Sequence, residues 1–222
     1  YDAFGTESFD DLYTSYESDG SVPRKTIGAQ ELFLDILKER AETGRLYIMN
    51  IDHCNSHSSF LDKVEMSNLC QEITLPTKPL EHIDDPNGEI ALCILSAVNV
   101  GKIRDLDDLK VLCDLAVRSL DELIDFQNYP INAAEIATKA RRSLGIGFIG
   151  LAHYLAKHGH DYNDPGAWQL VHNLTEAFQY YLISATVDLA EEKGACEYSS
   201  RTKYGNGILP IDTYKHDVDE IV

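Results

Sequence analysis

The stretch from Pro165 to Gly194 constrains this chain most, because it reads as one long helix carrying its own start and stop. Pro165 suits a first helical turn, Asn163 or Asp164 can cap the amides ahead of it, and Gly194 ends it. A second strong helix is expected from about Asp105 to Phe126, with Leu106, Leu109, Leu112, Leu115, Ala116, Leu120, Leu123 and Ile124 on a broad apolar face. Between and before these helices lie short apolar segments. Leu46–Met49 reads as a strand, and Leu69–Leu75 and Ile90–Val100 read as buried strands or extended segments parted by a turn region from Pro79 to Gly88. Leu144–Ile149 is apolar and punctuated by glycine.

Shorter helices are expected around Phe9–Tyr16, over Ala29–Glu42 with Gly44 as its stop, over Asn132–Arg142 and over Leu151–His158. A last one should begin at Asp212 or Thr213, after Ile208-Leu209-Pro210. The polar stretch from Asp52 to Met66 has no period and reads as a loop. Strands alternating with helices define an α/β protein, read as one domain or part of one over residues 1–222.

Charge narrows the function. Nineteen basic against 37 acidic side chains leave −18 at neutral pH, a field that repels phosphate backbones and anionic lipid. No nucleic-acid or membrane partner is expected, and no apolar run approaches the roughly 20 residues that span a bilayer. The five cysteines (Cys54, Cys70, Cys93, Cys113, Cys196) are odd in number, widely spaced and without a CxxC pair, which points to a reducing cytoplasm. The chain opens at Tyr1 without a secretory leader and stops abruptly at Ile221-Val222, so a piece of a longer polypeptide is expected.

Four constellations carry chemistry. In Ser67-Asn68-Leu69-Cys70-Gln71-Glu72, an extended backbone would put Asn68, Cys70 and Glu72 on one face. Spacing alone allows an edge strand with a buried cysteine. It also allows a site in which the thiol does redox or radical chemistry, Glu72 moves a proton and Asn68 orients a hydroxyl. Cys93, in an apolar run, reads by itself as core filler, since a redox role needs a partner thiol.

Gly145-Ile146-Gly147-Phe148-Ile149-Gly150 is a literal G-x-G-x-x-G with Asp164 downstream, which raises a nicotinamide-dependent oxidoreductase as an alternative. A dinucleotide fold needs an apolar strand just before the motif, whereas Lys139–Leu144 is basic and helix-like. Glycines that let a strand or turn pack tightly fit better. His53, Cys54 and His57 lack an obvious fourth ligand, so no metal site is assigned, and Cys113 and Cys196 read as filler. A non-catalytic helical interaction module is a further alternative, favoured by the two long helices.

Met66-Ser67-Asn68-Leu69-Cys70-Gln71-Glu72-Ile73-Thr74-Leu75-Pro76-Thr77 resembles the active-site segment of the large (alpha, catalytic) subunit of class I ribonucleoside-diphosphate reductases. Gly44–Ile48, Asp52–Asn55, Gly88–Cys93, Arg141–Gly147 and Gly207–Tyr214 resemble the same family in the same order, so the resemblance covers essentially the whole chain. It implies part of a ten-stranded α/β barrel of two five-stranded parallel halves, with a central finger loop bearing the radical cysteine. It also implies that a regulatory cone, the rest of the barrel and a C-terminal tail lie outside these residues.

By this resemblance Cys70 forms the thiyl radical that abstracts the 3′ hydrogen of the ribose. Glu72 acts as base on the 3′ hydroxyl, and Asn68 hydrogen-bonds the substrate. Ser67 and Leu69 belong to the substrate-binding segment. Cys93 is one of two cysteines that end as a disulfide, its partner lying outside this chain. The implied reaction reduces ribonucleoside diphosphates to 2′-deoxyribonucleoside diphosphates for DNA synthesis, and the 222 residues alone are expected to be inactive. The implied partners are the substrate, a small (beta) subunit with a metal–tyrosyl radical, a second large subunit in a homodimer, and thioredoxin or glutaredoxin as reductant. No cofactor is expected on this chain, with ATP and dNTP effectors bound elsewhere; the glycine motif falls where the family has a barrel strand.

Overall fold

A computed structural model describes Ala3, residues 6–209 and Asp212. The chain divides into two compact units, Tyr1–Ile48 and Met49–Val222.

The first unit holds α1 (Glu7–Ser18) and α2 (Ala29–Thr43). Gly44 closes α2 in the left-handed conformation (φ 65°), its N–H bonded to the Arg40 carbonyl, so the expected stop acts as a C-cap. Leu46–Met49, expected as a strand, is not one. Tyr47 and Ile48 are exposed and no described strand pairs with them, and an unpaired extended segment gains no ladder hydrogen bonds.

The second unit runs α3 (Ile51–His57), β1 (Ile94–Asn99), a 3-10 turn (Val100–Lys102), α4 (Leu106–Phe126), α5 (Asn132–Arg141), β2 (Leu144–Ile149), α6 (Leu151–Lys157) and α7 (Pro165–Lys193). Two 3-10 turns follow, Ser199–Arg201 and Tyr204–Asn206. β1 and β2 pair in parallel, Ile94 opposite Leu144 through Asn99 opposite Ile149, and α4 and α5 form the crossover that a parallel pair requires.

Local signals explain the long helices. The Asp105 carboxylate accepts the Asp108 N–H at 2.9 Å and caps α4. The Asp164 carboxylate accepts the Gly166 N–H at 2.8 Å and caps α7, whose last turn ends at Gly194. α4 buries Leu109, Cys113, Val117, Leu120 and Ile124, the i, i+4 stripe that faces the sheet and α7. The stripe is narrower than the expected face: Leu106, Leu112, Leu115 and Leu123 are exposed. Leu112 and Leu115 line a groove beside β1 with Val98 and Val111.

The core joins Val98, Val100, Leu109, Cys113, Leu174 and Phe178, with Phe148 edge-on to Phe178 at 5.7 Å between ring centroids. A second cluster of Val117, Ala185 and Leu189 continues along α4 and α7. Charges lock the same pair: Arg118 bridges Asp114 and Glu192, and Lys193 pairs with Asp121 and Glu122. The two helices thus spend part of their apolar faces on each other and on the sheet.

Three further expectations are corrected. Asp52–Met66 is not all loop, because α3 forms and Asn55 clamps it: its amide donates to the Ile51 and Val64 carbonyls and accepts the Val64 N–H. Leu69–Leu75 is a turn and irregular chain rather than a strand. The strand expected over Ile90–Val100 begins only at Ile94. Of the helix expected from Asp212 or Thr213, all but Asp212 lies outside the described residues.

Candidate active site

The segment from Ser67 to Ile73 is organised by its own hydrogen bonds. The Asn68 carbonyl accepts the Gln71 N–H at 3.1 Å, which closes a β-turn with Leu69 and Cys70 as its central residues. Gln71 then takes a left-handed backbone (φ 63°), a conformation that a side chain other than glycine rarely adopts. The reversal brings Asn68 and Glu72 together: the Asn68 amide donates to Glu72 Oε1 at 2.5 Å. Asn68 Oδ1 accepts the Ile73 N–H at 3.0 Å and the Ser67 hydroxyl at 3.3 Å.

The expected pleat, with Asn68, Cys70 and Glu72 on one strand face, is therefore wrong in mechanism. Side-chain-to-backbone bonds from Asn68 compete with an extended chain and win. Asn68 and Glu72 still meet, across a turn rather than along a strand. Cys70 is exposed at the tip, and its neighbour Leu69 is 86% exposed. The arrangement holds a carboxylate that can accept a proton, oriented by an amide partner and two residues from an exposed thiol.

Cys93 lies one residue before β1 and is half-buried, and burial pushes its thiol pKa up. Its space is made by the other strand. A Cβ on Gly145 would fall 2.9 Å from Cys93 Sγ and against the Leu95 side chain. Two of the motif's glycines are thus spent on packing: Gly145, inside β2, makes room for Cys93 and Leu95, and Gly150 (φ 82°) turns the chain into α6 against the Gly101 backbone, while Gly147 lies inside β2 with open space beside it. A dinucleotide-binding motif would start where its strand ends, so the nicotinamide alternative does not fit.

Sequence reasoning missed a buried ionic cluster that backs this region. Glu89 and Arg141 have side chains only 2% exposed and bond at 2.8 Å. Lys78 Nζ reaches Glu89 Oε1 at 2.6 Å, and the backbones of Lys78 and Glu89 exchange two hydrogen bonds. Asp62 takes Arg141 at 3.2 Å and Arg201 at 2.7 Å. The Arg141 guanidinium lies between the Phe60 and Tyr198 rings, 5.4 and 5.3 Å from their centroids. Burial raises the Glu89 carboxyl pKa, but the hydrogen bonds and charges of Lys78 and Arg141 outweigh it and hold the group below its ordinary value. No spacing rule links residues 52 positions apart, and the one local hint is an Arg-Arg pair ending a helix.

The remaining candidates are distributed elsewhere. His53, Cys54 and His57 ride on α3, and among the described residues no group of three or more His, Cys, Asp or Glu is placed to hold a metal. Cys113 is core, its thiol pKa pushed up to about 11 by burial. Cys196 is half-buried, with its thiol 3.6 Å from the Arg141 carbonyl. All five cysteines are free, and no helix among the described residues is long and apolar enough to cross a membrane.

The parallel strand pair and its helical crossover are consistent with an incomplete α/β barrel. The family model for the ribonucleotide reductase barrel domain matches residues 1–221, and the chain belongs to that family. It is 56% identical to the ribonucleoside-diphosphate reductase subunit alpha of Haemophilus influenzae, over 100% of this chain and 30% of that protein. It is 55% identical to the ribonucleoside-diphosphate reductase 1 subunit alpha of Escherichia coli, again over 100% and 30%. The corresponding subunit of Enterobacteria phage T4 is 40% identical over 97% of this chain and 28% of its own length. The chain therefore spans about 30% of the length of these curated relatives.

Proposed function

We propose that residues 1–222 form part of the catalytic barrel domain of a class I ribonucleoside-diphosphate reductase alpha subunit. The observation that carries this reading is the Asn68–Glu72 bond across a turn with Cys70 at its exposed tip, in a chain whose whole length matches the family. The Cys70 thiyl radical takes the 3′ hydrogen atom of the ribose. Glu72 accepts the 3′ hydroxyl proton, and Asn68, already bonded to Glu72, orients that hydroxyl. Ser67 and Leu69 flank the sugar.

Loss of the 2′ hydroxyl as water then becomes feasible beside the 3′ radical. Two thiols, Cys93 and a cysteine outside this chain, supply the two electrons and close into a disulfide. The 3′ hydrogen finally returns from Cys70, whose radical is regenerated. A metal–tyrosyl centre on a separate small subunit supplies the oxidising equivalent that first removes the hydrogen atom from Cys70. No residue of this chain is assigned to hold it.

The wider reading is a homodimer of the full-length subunit, with thioredoxin or glutaredoxin as reductant and ATP or dNTP effectors bound outside residues 1–222. Five free cysteines fit a cytoplasmic setting. The test is deoxynucleotide formation by the full-length subunit, mixed with its small subunit, a dithiol reductant and a ribonucleoside diphosphate. Product is expected, and its absence under conditions that support the Escherichia coli enzyme would overturn the reading.

A further inference from the structure

We infer that Lys78 is a positioning residue: its salt bridge to Glu89 holds the Cys70 turn in register with the segment that carries Cys93. The inference rests on the reading above and adds a device to it. Cys70 lies eight residues before Lys78, and Cys93 lies four residues after Glu89. Whatever joins Lys78 to Glu89 therefore joins the chain leaving one cysteine to the chain arriving at the other.

The join is made three ways at one point. The Lys78 N–H donates to the Glu89 carbonyl at 3.0 Å, the Glu89 N–H donates to the Lys78 carbonyl at 3.2 Å, and Lys78 Nζ reaches Glu89 Oε1 at 2.6 Å. Glu89 is itself fixed to the sheet. Its carboxylate is held by Arg141 at the end of α5, three residues before β2, and the next amide, Ile90 N–H, donates to the Ala133 carbonyl in α5. β2 in turn carries Gly145, the residue that leaves room for the Cys93 thiol. A continuous set of bonds thus leads from the foot of the Cys70 turn through Lys78, Glu89 and Arg141 to the strand against Cys93.

Lys78 is the adjustable member of this set. Its side chain is 49% exposed, whereas Glu89 and Arg141 are buried, so removing the ammonium leaves the Glu89–Arg141 pair intact. Glu89 keeps its charge partner and the fold keeps its core, but the turn-bearing segment loses its ionic tether. In the proposed reaction Cys70 and Cys93 act on the same sugar, so both must be held at reacting distance from it, and a misplacement of about 1 Å can cost about 100-fold in rate.

The test uses the full-length subunit with its small subunit and a dithiol reductant. Lys78→Met should lower kcat by about 10- to 100-fold, the range expected for a misplaced reacting group, with KM for the ribonucleoside diphosphate within about twofold. Its thermal midpoint should stay within a few degrees of the parent, and Lys78→Arg should restore most of the lost kcat. A Lys78→Met enzyme with the parent kcat overturns the inference. So does a loss of kcat accompanied by a collapse in thermal stability and not recovered by Lys78→Arg. Cys70→Ser, run alongside, separates the two levels: turnover by that variant means the reading of the site has failed, whereas an inactive Cys70→Ser beside an unaffected Lys78→Met means only the tether has failed.

Discussion

The Asn68 side-chain amide donates to the Glu72 carboxylate at 2.5 Å, closing a loop whose tip is Cys70. Residues four apart in sequence would lie well separated in an extended chain, and they meet only because Gln71 takes a left-handed backbone. Three functional groups are thereby set by five consecutive residues, and this small unit requires no distant strand to hold its shape.

That dependence makes Gln71 testable. Gln71→Gly removes the steric cost of the left-handed conformation and adds unfolded-chain entropy, two effects of about 1 kcal/mol that oppose each other. Its unfolding midpoint and its turnover in the full-length subunit should both stay near the parent values. Gln71→Val puts a β-branched side chain at the same φ and should cost about 1–2 kcal/mol while breaking the Asn68–Glu72 bond, so turnover falls. Urea melts and steady-state rates of the two variants check this, and equal behaviour would show that the turn does not matter.

The Glu89–Arg141 pair contributes to the acid stability. Glu89→Ala leaves the buried Arg141 guanidinium with Asp62 as its remaining carboxylate, so the cost should lie below the roughly 3–5 kcal/mol of a buried charge left wholly unpaired. The pH dependence follows from the lowered Glu89 carboxyl. An unfolded glutamate binds its proton near pH 4.3, above the folded value, so the stabilisation is complete above that pH and is lost as pH falls through the folded value. Urea midpoints of parent and Glu89→Gln should differ most at neutral pH and converge as pH falls below the ordinary glutamate range. A gap that widens in acid would contradict the assignment.

The two proposed reactive cysteines differ in access. Cys70 is exposed, while Cys93 is half-buried with a raised thiol pKa, so at pH 8 iodoacetamide should modify Cys70 first. Modification of Cys93 should keep accelerating well above the ordinary thiol pKa of about 8.5. Peptide mass spectrometry of timed samples reads both rates. Gly145→Ala, whose added methyl meets the Cys93 sulfur and the Leu95 side chain, should cost about 1–3 kcal/mol from overpacking.

What the sequence disclosed and what it hid divide along the range of the interactions. The ends of α7 were legible because Asp164, Pro165 and Gly194 act within one turn of where they stand, and the start of α4 at Asp105 was legible for the same reason. The breadth of the α4 face was not, because Leu109 and Leu112 carry the same side chain and only the packing of β1 and α7 decides which is buried. The Cys70 turn was misread as a strand because period two cannot be told from a turn over five residues when no glycine marks the left-handed position. Its chemical membership came from resemblance, since spacing alone favoured an edge strand with a buried cysteine. The Glu89–Arg141 pair, joined across the fold, left no local trace beyond the Arg141-Arg142 pair at the end of α5.

The central claim is that the Cys70 sulfur carries the reaction. The direct measurement is turnover by the full-length subunit with Cys70→Ser, beside nucleotide binding by the same preparation. Deoxynucleotide formation should disappear while ribonucleoside diphosphate binds nearly as before, because Cys70 sits exposed at a turn tip. A serine variant that still reduces its substrate at the parent rate would contradict it.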